Sequence, residues 1–239
     1  MKAKISRDYE LNVNDMVHIM ISGTTGSGKS VAINKLIYEL VKNYDTNEVG
    51  FVMIDPKQVE LSMWKGIPHL IMPVVTNMEV AKGALNWLVS EMERRYADMA
   101  RRGLKEWDGK QILVIVDELA DLMEIDRTGV ETSLVRLAQK ARASGIHLVL
   151  ATQSPRAEVL TGLLRANIPT KMSLRVRDQL ESRIAIGIRG AEELNGKGDS
   201  ILIDSEGNEH RFVVDYISDS NIKDLVLSET GLMECPFLD

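Results

Sequence analysis

The stretch HIMISGTTGSGKSVAINKL, residues 18–36, decides the fold. An apolar run ending at Ser22 leads into Gly23-Thr24-Thr25-Gly26-Ser27-Gly28-Lys29-Ser30, which fits G-x-x-x-x-G-K-[ST] at every position. That spacing serves phosphate binding. The glycines let the backbone wrap an anion with its N–H groups pointing inward, and the following helix N-terminus adds a favourable dipole. Lys29 is placed to reach the β- and γ-phosphates of ATP, Ser30 to bind Mg²⁺, and residues 23–31, Val31 included, to line the cofactor site. A strand before the loop and a helix over 30–43 are therefore expected.

Working outward, three more apolar runs resemble the first: GFVMID (50–55), ILVIVDE (112–118) and HLVLATQ (147–153). They are continuously apolar rather than alternating, which suits parallel strands covered on both faces. Helices are expected over 77–102, 130–143 and 157–166. The first carries a stripe of Met78, Ala81, Leu85, Leu88, Met92, Tyr96 and Met99. Beyond 170 come shorter strands (TKMSLRV, DSILID, HRFVVDY), with helices near 178–187 and 219–228. The fold class is α/β: a mainly parallel central sheet flanked by helices, with a more antiparallel C-terminal part. No repeat or linker divides the 239 residues, so 1–239 reads as one domain with a short extension (1–16) and a C-terminal helix and tail (219–239).

Each apolar run ends in polar chemistry, and in open α/β sheets the ligand crevice lies at those carboxyl ends. Asp117 is a candidate Mg²⁺ ligand and Glu118 a candidate general base for an attacking water. Gln153 is either a contact to the γ-phosphate or an ordinary polar residue at a strand exit; the spacing leaves both open. Arg142, expected near a helix end, is ordinarily a surface side chain helped by the helix dipole. Arg94, Arg95, Arg101 and Arg102 suggest a basic patch. Glu91 and Asp98 stand four residues before Arg95 and Arg102, so a solvated helix face is expected instead. His18, His69, His147 and His210 are too scattered along the chain to suggest a metal set.

A 44% hydrophobic, 27% charged composition excludes a disordered chain, and no apolar run reaches the roughly 18 residues of a membrane span. The lone cysteine, Cys235, and the absence of a signal-like N-terminus fit a cytoplasmic protein. Net charge is −6, yet residues 156–189 hold seven basic and three acidic side chains, a local excess of four positive charges. A basic strip on an acidic body suits contact with a nucleic-acid backbone.

Several blocks together resemble the FtsK/SpoIIIE family of DNA translocase motors. They are GTTGSGKS, FVMIDPKQVELSMWKGIPHL, NWLVSEMERRYADMARRG, ILVIVDELADLM, RLAQKARASGIHLVLATQSP, LTGLLRANIPTK, SRIAIG and LNGKGDSIL, in the family's order. The resemblance implies a RecA-like P-loop fold, Mg²⁺-ATP hydrolysis, and a homo-oligomeric, hexameric ring around double-stranded DNA. It makes Gln153 a sensor and Arg142 the arginine supplied to a neighbouring subunit's site. It also points Arg165 and Arg183, with Arg156 and Arg177 nearby, at DNA. Two positions depart from the family pattern: Ser154 stands where arginine is usual, and Gln179 where lysine is usual. Only 22 residues precede Gly23, so neither a separate N-terminal ring domain nor a winged-helix module is expected, which suggests a phage, plasmid or other mobile element. Competing readings are a single-stranded DNA conjugation or packaging ATPase, and a nucleotide-dependent DNA-binding adaptor that does not move. Phe, Trp and Tyr are absent from 154–190, which favours backbone contacts over base stacking.

Overall fold

The computed structural model describes residues 1–230; Cys235 and the C-terminal tail lie outside the described residues. The four apolar runs become β3 (Ile19–Ser22), β4 (Val49–Ile54), β5 (Gln111–Val116) and β6 (Ile146–Thr152). With β7 (Thr170–Leu174) they form a parallel array in the order β4-β5-β6-β3-β7. Two further strands, β8 (Asp199–Ile203) and β9 (Glu209–Val213), extend it antiparallel, as the C-terminal pattern predicts.

Alternate residues of the central strands serve two apolar layers. Ile19, Ile21, Phe51, Met53, Leu113 and Ile115 face one layer, with α2 (Lys29–Asn43) and α8 (Asp219–Thr230). Met20, Val52, Ile54, Val114 and Val116 face the other. There they meet α3 (Met78–Arg102), α4 (Leu119–Ile125), α5 (Arg127–Lys140) and α6 (Gly162–Asn167). Burial on both faces is why the strands read as unbroken apolar runs.

Some elements differ from the sequence reading. Residues 1–16 hold a hairpin of β1 (Lys2–Ser6) and β2 (Tyr9–Asn12), followed by α1 (Val13–Met16). Helix α4 follows directly on Glu118, whose carboxylate accepts from Ala120 N, so the acidic pair also starts a helix. Helix α5 starts and stops three residues early, because Asp126 caps it by accepting from Gly129 N and a turn at 142–145 follows. Helix α6 begins late, where Thr161 Oγ1 accepts from Leu164 N. The remaining helix, α7 (Gln179–Ile186), sits where expected.

Register sets the site. Ser22 pairs with Thr152 and Ser173, and Ile54 with Val116, so the residues after each strand share one rim. The phosphate loop, Asp55, Asp117-Glu118 and Gln153 all emerge there.

Candidate nucleotide site

The loop between β3 and α2 is tied down at three points. Thr24 N and Oγ1 both donate to Arg175 O (2.9 and 3.0 Å), Ser27 N donates to Thr24 O (3.0 Å), and Gly198 N donates to Ser27 O (2.9 Å). Gly28 sits at φ 104° as the N-cap of α2, and a Cβ there would come within 2.6 Å of Gly198 N. Glycine is required on both counts. No side chain caps this helix, so its first N–H groups are open to an anion.

Lys29 Nζ donates to Asp117 O and to Asp117 Oδ1, each at 2.8 Å, and both side chains are buried. The predicted phosphate-binding lysine and magnesium ligand are therefore in contact. Ser30 and Val31 line a cavity of about 520 Å³ with Thr24, Thr25, Gly26 and Gly28. Among the described residues three buried oxygens at this rim, Ser22 Oγ, Ser27 Oγ and Asp55 Oδ1, have no hydrogen-bond partner. The Ser30 hydroxyl and the Asp117 carboxylate are oxygen donors of the kind Mg²⁺ takes.

Glu118 is buried and held from three sides. Thr152 Oγ1 donates to its Oε1 at 2.6 Å, Gln153 N to its Oε2 at 3.0 Å, and Ala120 N to Oε1 at 3.3 Å. Gln153 in turn accepts from Thr25 Oγ1 at 2.9 Å. An unbroken chain of contacts thus runs from the phosphate loop through Gln153 to Glu118. A cleft of about 990 Å³ opens beside it, lined among others by Glu118, Gln153, Arg177 and Lys57.

Lys57 was missed from the sequence. Its Nζ lies 3.2 Å from Asp121 Oδ2. Burial works to lower its pKa, but the hydrogen bond and charge of Asp121, with Glu118 and Asp117 behind, push it upward on balance. The DPKQ stretch after an apolar run was the available signal.

Arg142 lies elsewhere. It is exposed in the turn before β6, whereas Gln153 follows the far end of that strand. Seven strand residues span about 23 Å, so Arg142 is at the opposite rim from its own chain's phosphate loop. Arg156 and Arg183 are exposed, and among the described residues neither forms an ion pair. Arg165 is half-buried, its Nε donating to Leu160 O at 3.0 Å. Arg177 is paired with Glu181 (2.9 Å) and stands on the nucleotide cleft.

Two readings need correction. The i,i+4 pairs Glu91–Arg95 and Asp98–Arg102 form, but Arg95 is buried rather than solvated. Its Nη1 donates to Ser144 O (2.7 Å) and Gly145 O (3.3 Å), and its guanidinium lies 4.8 Å from the Trp107 ring centre. It braces the turn that carries Arg142. The histidines are not all scattered: His18 and His147 lie side by side, ring centres 6.5 Å apart. One nitrogen of each ring is engaged by the backbone, with Leu148 N donating to His18 Nδ1 and His147 Nδ1 contacting Val17 O, while His147 Nε2 contacts Gln111 Oε1.

Comparison with known proteins follows this geometry. The FtsK/SpoIIIE family model matches residues 2–111 and 106–157. The chain is 44% identical over 231 residues to the DNA translocase SftA of Bacillus subtilis strain 168, covering 90% of this chain and 24% of that protein. It is 43% identical over 234 residues to the DNA translocase FtsK of Staphylococcus aureus strain Mu50, covering 90% and 30%. The chain thus spans between a quarter and a third of the length of these curated relatives. Among solved structures it resembles the pCW3 conjugation coupling protein TcpA, in monomer form with ATPγS. That match has a TM-score of 0.78 at 27% identity, over 92% of this chain and 66% of the other. The Type VII secretion ATPase EccC of Thermomonospora curvata gives the same TM-score at 22% identity, over 93% and 29%, and shares the fold. A buried Lys29–Asp117 contact at the rim of a parallel sheet, a Glu118 fixed by β6, and a matching family model over most of the described residues lead to one conclusion: the chain belongs to the FtsK/SpoIIIE family.

Proposed function

We propose that this chain is the ATP-hydrolysing motor of a homo-oligomeric, hexameric ring that moves double-stranded DNA. One observation carries the reading: the hydrogen-bonded path Thr25–Gln153–Glu118 joins the phosphate loop to a fixed carboxylate, and Gln153 stands three residues before the basic segment 156–189. In this proposal the Lys29 ammonium leaves Asp117 for the β- and γ-phosphates. Ser30 and Asp117 would hold Mg²⁺, which when bound would neutralise phosphate charge. Glu118 polarises the attacking water from a position set by Thr152 Oγ1 and Gln153 N. Gln153 touches both the loop and Glu118, so its backbone relays the state of the γ-phosphate to the segment that follows.

The position of Arg142 supports a ring. A side chain at the opposite rim of the sheet from its own site, on a turn braced by the buried Arg95, acts on a neighbour or not at all. Arg156, Arg165 and Arg183 would contact the duplex backbone, which gives tracking without sequence reading. Arg177, already paired with Glu181, serves the nucleotide cleft better than DNA.

Arg142→Ala separates this reading from its rivals. DNA-stimulated ATP turnover should fall by about a thousandfold, as for other arginines supplied in trans, while ADP affinity stays within twofold. Turnover within twofold of the unaltered chain would sink the ring mechanism. Triplex displacement on duplex DNA tests movement; hydrolysis without displacement would favour a stationary adaptor, and displacement dependent on single strands would favour the other cargo.

A further inference from the structure

The phosphate loop accounts for only one wall of the 520 Å³ cavity. The facing wall is built from Lys197, Gly198, Val214 and Tyr216, in two segments that the sequence reading left without a role. Tyr216 is 79% exposed, the most exposed large hydrophobic side chain among the described residues. A solitary exposed aromatic carries little meaning on its own. This one stands on a cavity wall continuous with Gly28, Lys29 and Ser30, and its backbone is held firmly. Val214 N donates to Gly198 O (2.9 Å), and Asp215 N donates to Ile5 O in the N-terminal hairpin (3.0 Å).

The second segment is tied to the phosphate loop by Gly198 N, which donates to Ser27 O. Lys197 has φ 53°, a left-handed conformation that side-chain-bearing residues rarely adopt, between Gly196 at 78° and Gly198 at 94°. Strain of this kind persists where surrounding contacts over-determine it, and it clusters at ligand clamps. Here the 196–198 segment is hydrogen-bonded to the phosphate loop and lines the same cavity as Val31 and Val214. Val31 follows Ser30 directly, so an apolar floor begins one residue after the last phosphate-facing side chain.

We propose that Tyr216, with Val31 and Val214, forms the nucleobase subsite, the Tyr216 ring stacking on the purine of the nucleotide whose phosphates occupy residues 23–30. The assignment rests on the phosphate-loop reading and extends it. Its physical basis is an aromatic face on a fixed backbone beside two aliphatic side chains, at one end of a cavity whose other end binds anions. Tyr216 also lies between β9 and α8, so base stacking engages the C-terminal antiparallel part that is hydrogen-bonded to the phosphate loop through Gly198.

Calorimetric titration of the whole chain with Mg²⁺-ADP, and separately with Mg²⁺-tripolyphosphate, tests the proposal, because tripolyphosphate has no base. Tyr216→Ala should weaken ADP by about tenfold, the usual scale of a lost base–aromatic stack, and leave tripolyphosphate within twofold. Tyr216→Phe should restore ADP binding. An unchanged ADP affinity in Tyr216→Ala overturns the subsite. Equal weakening of both ligands overturns it too, because Tyr216 would then only prop the loop. If the unaltered chain binds neither ligand, the phosphate-loop reading fails and takes the subsite with it. Lys29→Ala, which should weaken both ligands together, marks that case.

Discussion

At the scale of single residues, the Glu118 carboxylate shows how position rather than identity makes a candidate base. Glutamate after an apolar strand is common, but here each oxygen has a donor: Thr152 Oγ1 and Ala120 N on Oε1, Gln153 N on Oε2. The 2.6 Å contact from Thr152 is the shortest of the three and comes from the strand lying between β5 and β3. Thr152→Val keeps the shape of the side chain and removes this donor, together with the acceptor that Thr152 Oγ1 offers to Ser154 N at 3.1 Å. Turnover should fall about tenfold or more, as when an outer partner of a reacting group is lost, with ADP affinity unchanged. Thr152→Ser, which restores the hydroxyl, should recover most of the rate. Steady-state hydrolysis with and without DNA checks both variants, and a fully active Thr152→Val would show that Glu118 needs no such orientation.

At the scale of elements, helix α3 does more than cover the sheet. Its apolar stripe packs as its spacing predicts, with Ala81, Leu85, Leu88, Met92 and Met99 buried, and Asn77 caps it by accepting from Glu79 N and Val80 N. Arg95 then uses the same buried face to hold the 142–145 turn. Removing it strips the donor from the Ser144 carbonyl and breaks the half-buried pair with Glu91, while Gly145 O keeps Ile112 N at 2.9 Å, so Arg95→Ala should lose about 3 kcal/mol of unfolding free energy in urea. A loss below about 1 kcal/mol would mean that the turn holds itself. The sequence pointed to a different role because Glu91 supplied a complete local explanation for the arginine. Trp107 and the two carbonyls come from distant parts of the chain. The same limit explains the N-terminal hairpin: Ala3, Ile5 and Leu11 are buried between exposed Lys2, Lys4 and Glu10, a pattern too short and too polar to stand out. By contrast, the central strands were legible to within a few residues, because double-sided burial writes itself as an apolar run. The phosphate loop was legible because its geometry demands glycines. Lys57 and Tyr216 were not, since only the fold brings residues 57 and 216 to the rim where Lys29 lies.

At the scale of the whole molecule, the sheet separates two rims with different chemistry: nucleotide groups at the carboxyl ends, and the Arg142 turn with the His18–His147 pair at the amino ends. The pair sits where β3 and β6 begin, behind Val17, a β-branched residue held at φ 58°. Burial comes first among the causes that lower both histidines, His18 to about 3 with His147 next, and His147 to about 4. The geometry agrees, because His18 Nδ1 accepts from Leu148 N and cannot do so once protonated. Both groups are therefore neutral in the folded chain at pH values where the unfolded chain, with pKa near 6.5, is charged. The stability this confers is fully present above about pH 6.5 and is lost as pH falls from there toward 4 and 3. At pH 5 each histidine lies 1.5 pH units below its unfolded pKa, a loss of about 2 kcal/mol apiece. Carboxylates lowered by their partners, such as Asp98 by Arg102 and Asp126 by Lys82, act in the same direction but at lower pH, below their unfolded range. Urea unfolding between pH 7 and 5 should thus show a fall of about 4 kcal/mol, with nearly two protons taken up per molecule unfolded at pH 5. His147→Gln should remove about half of that slope. A slope unchanged from pH 7 to 5 would mean that the pair is charged in the folded chain, contrary to the contacts that surround it.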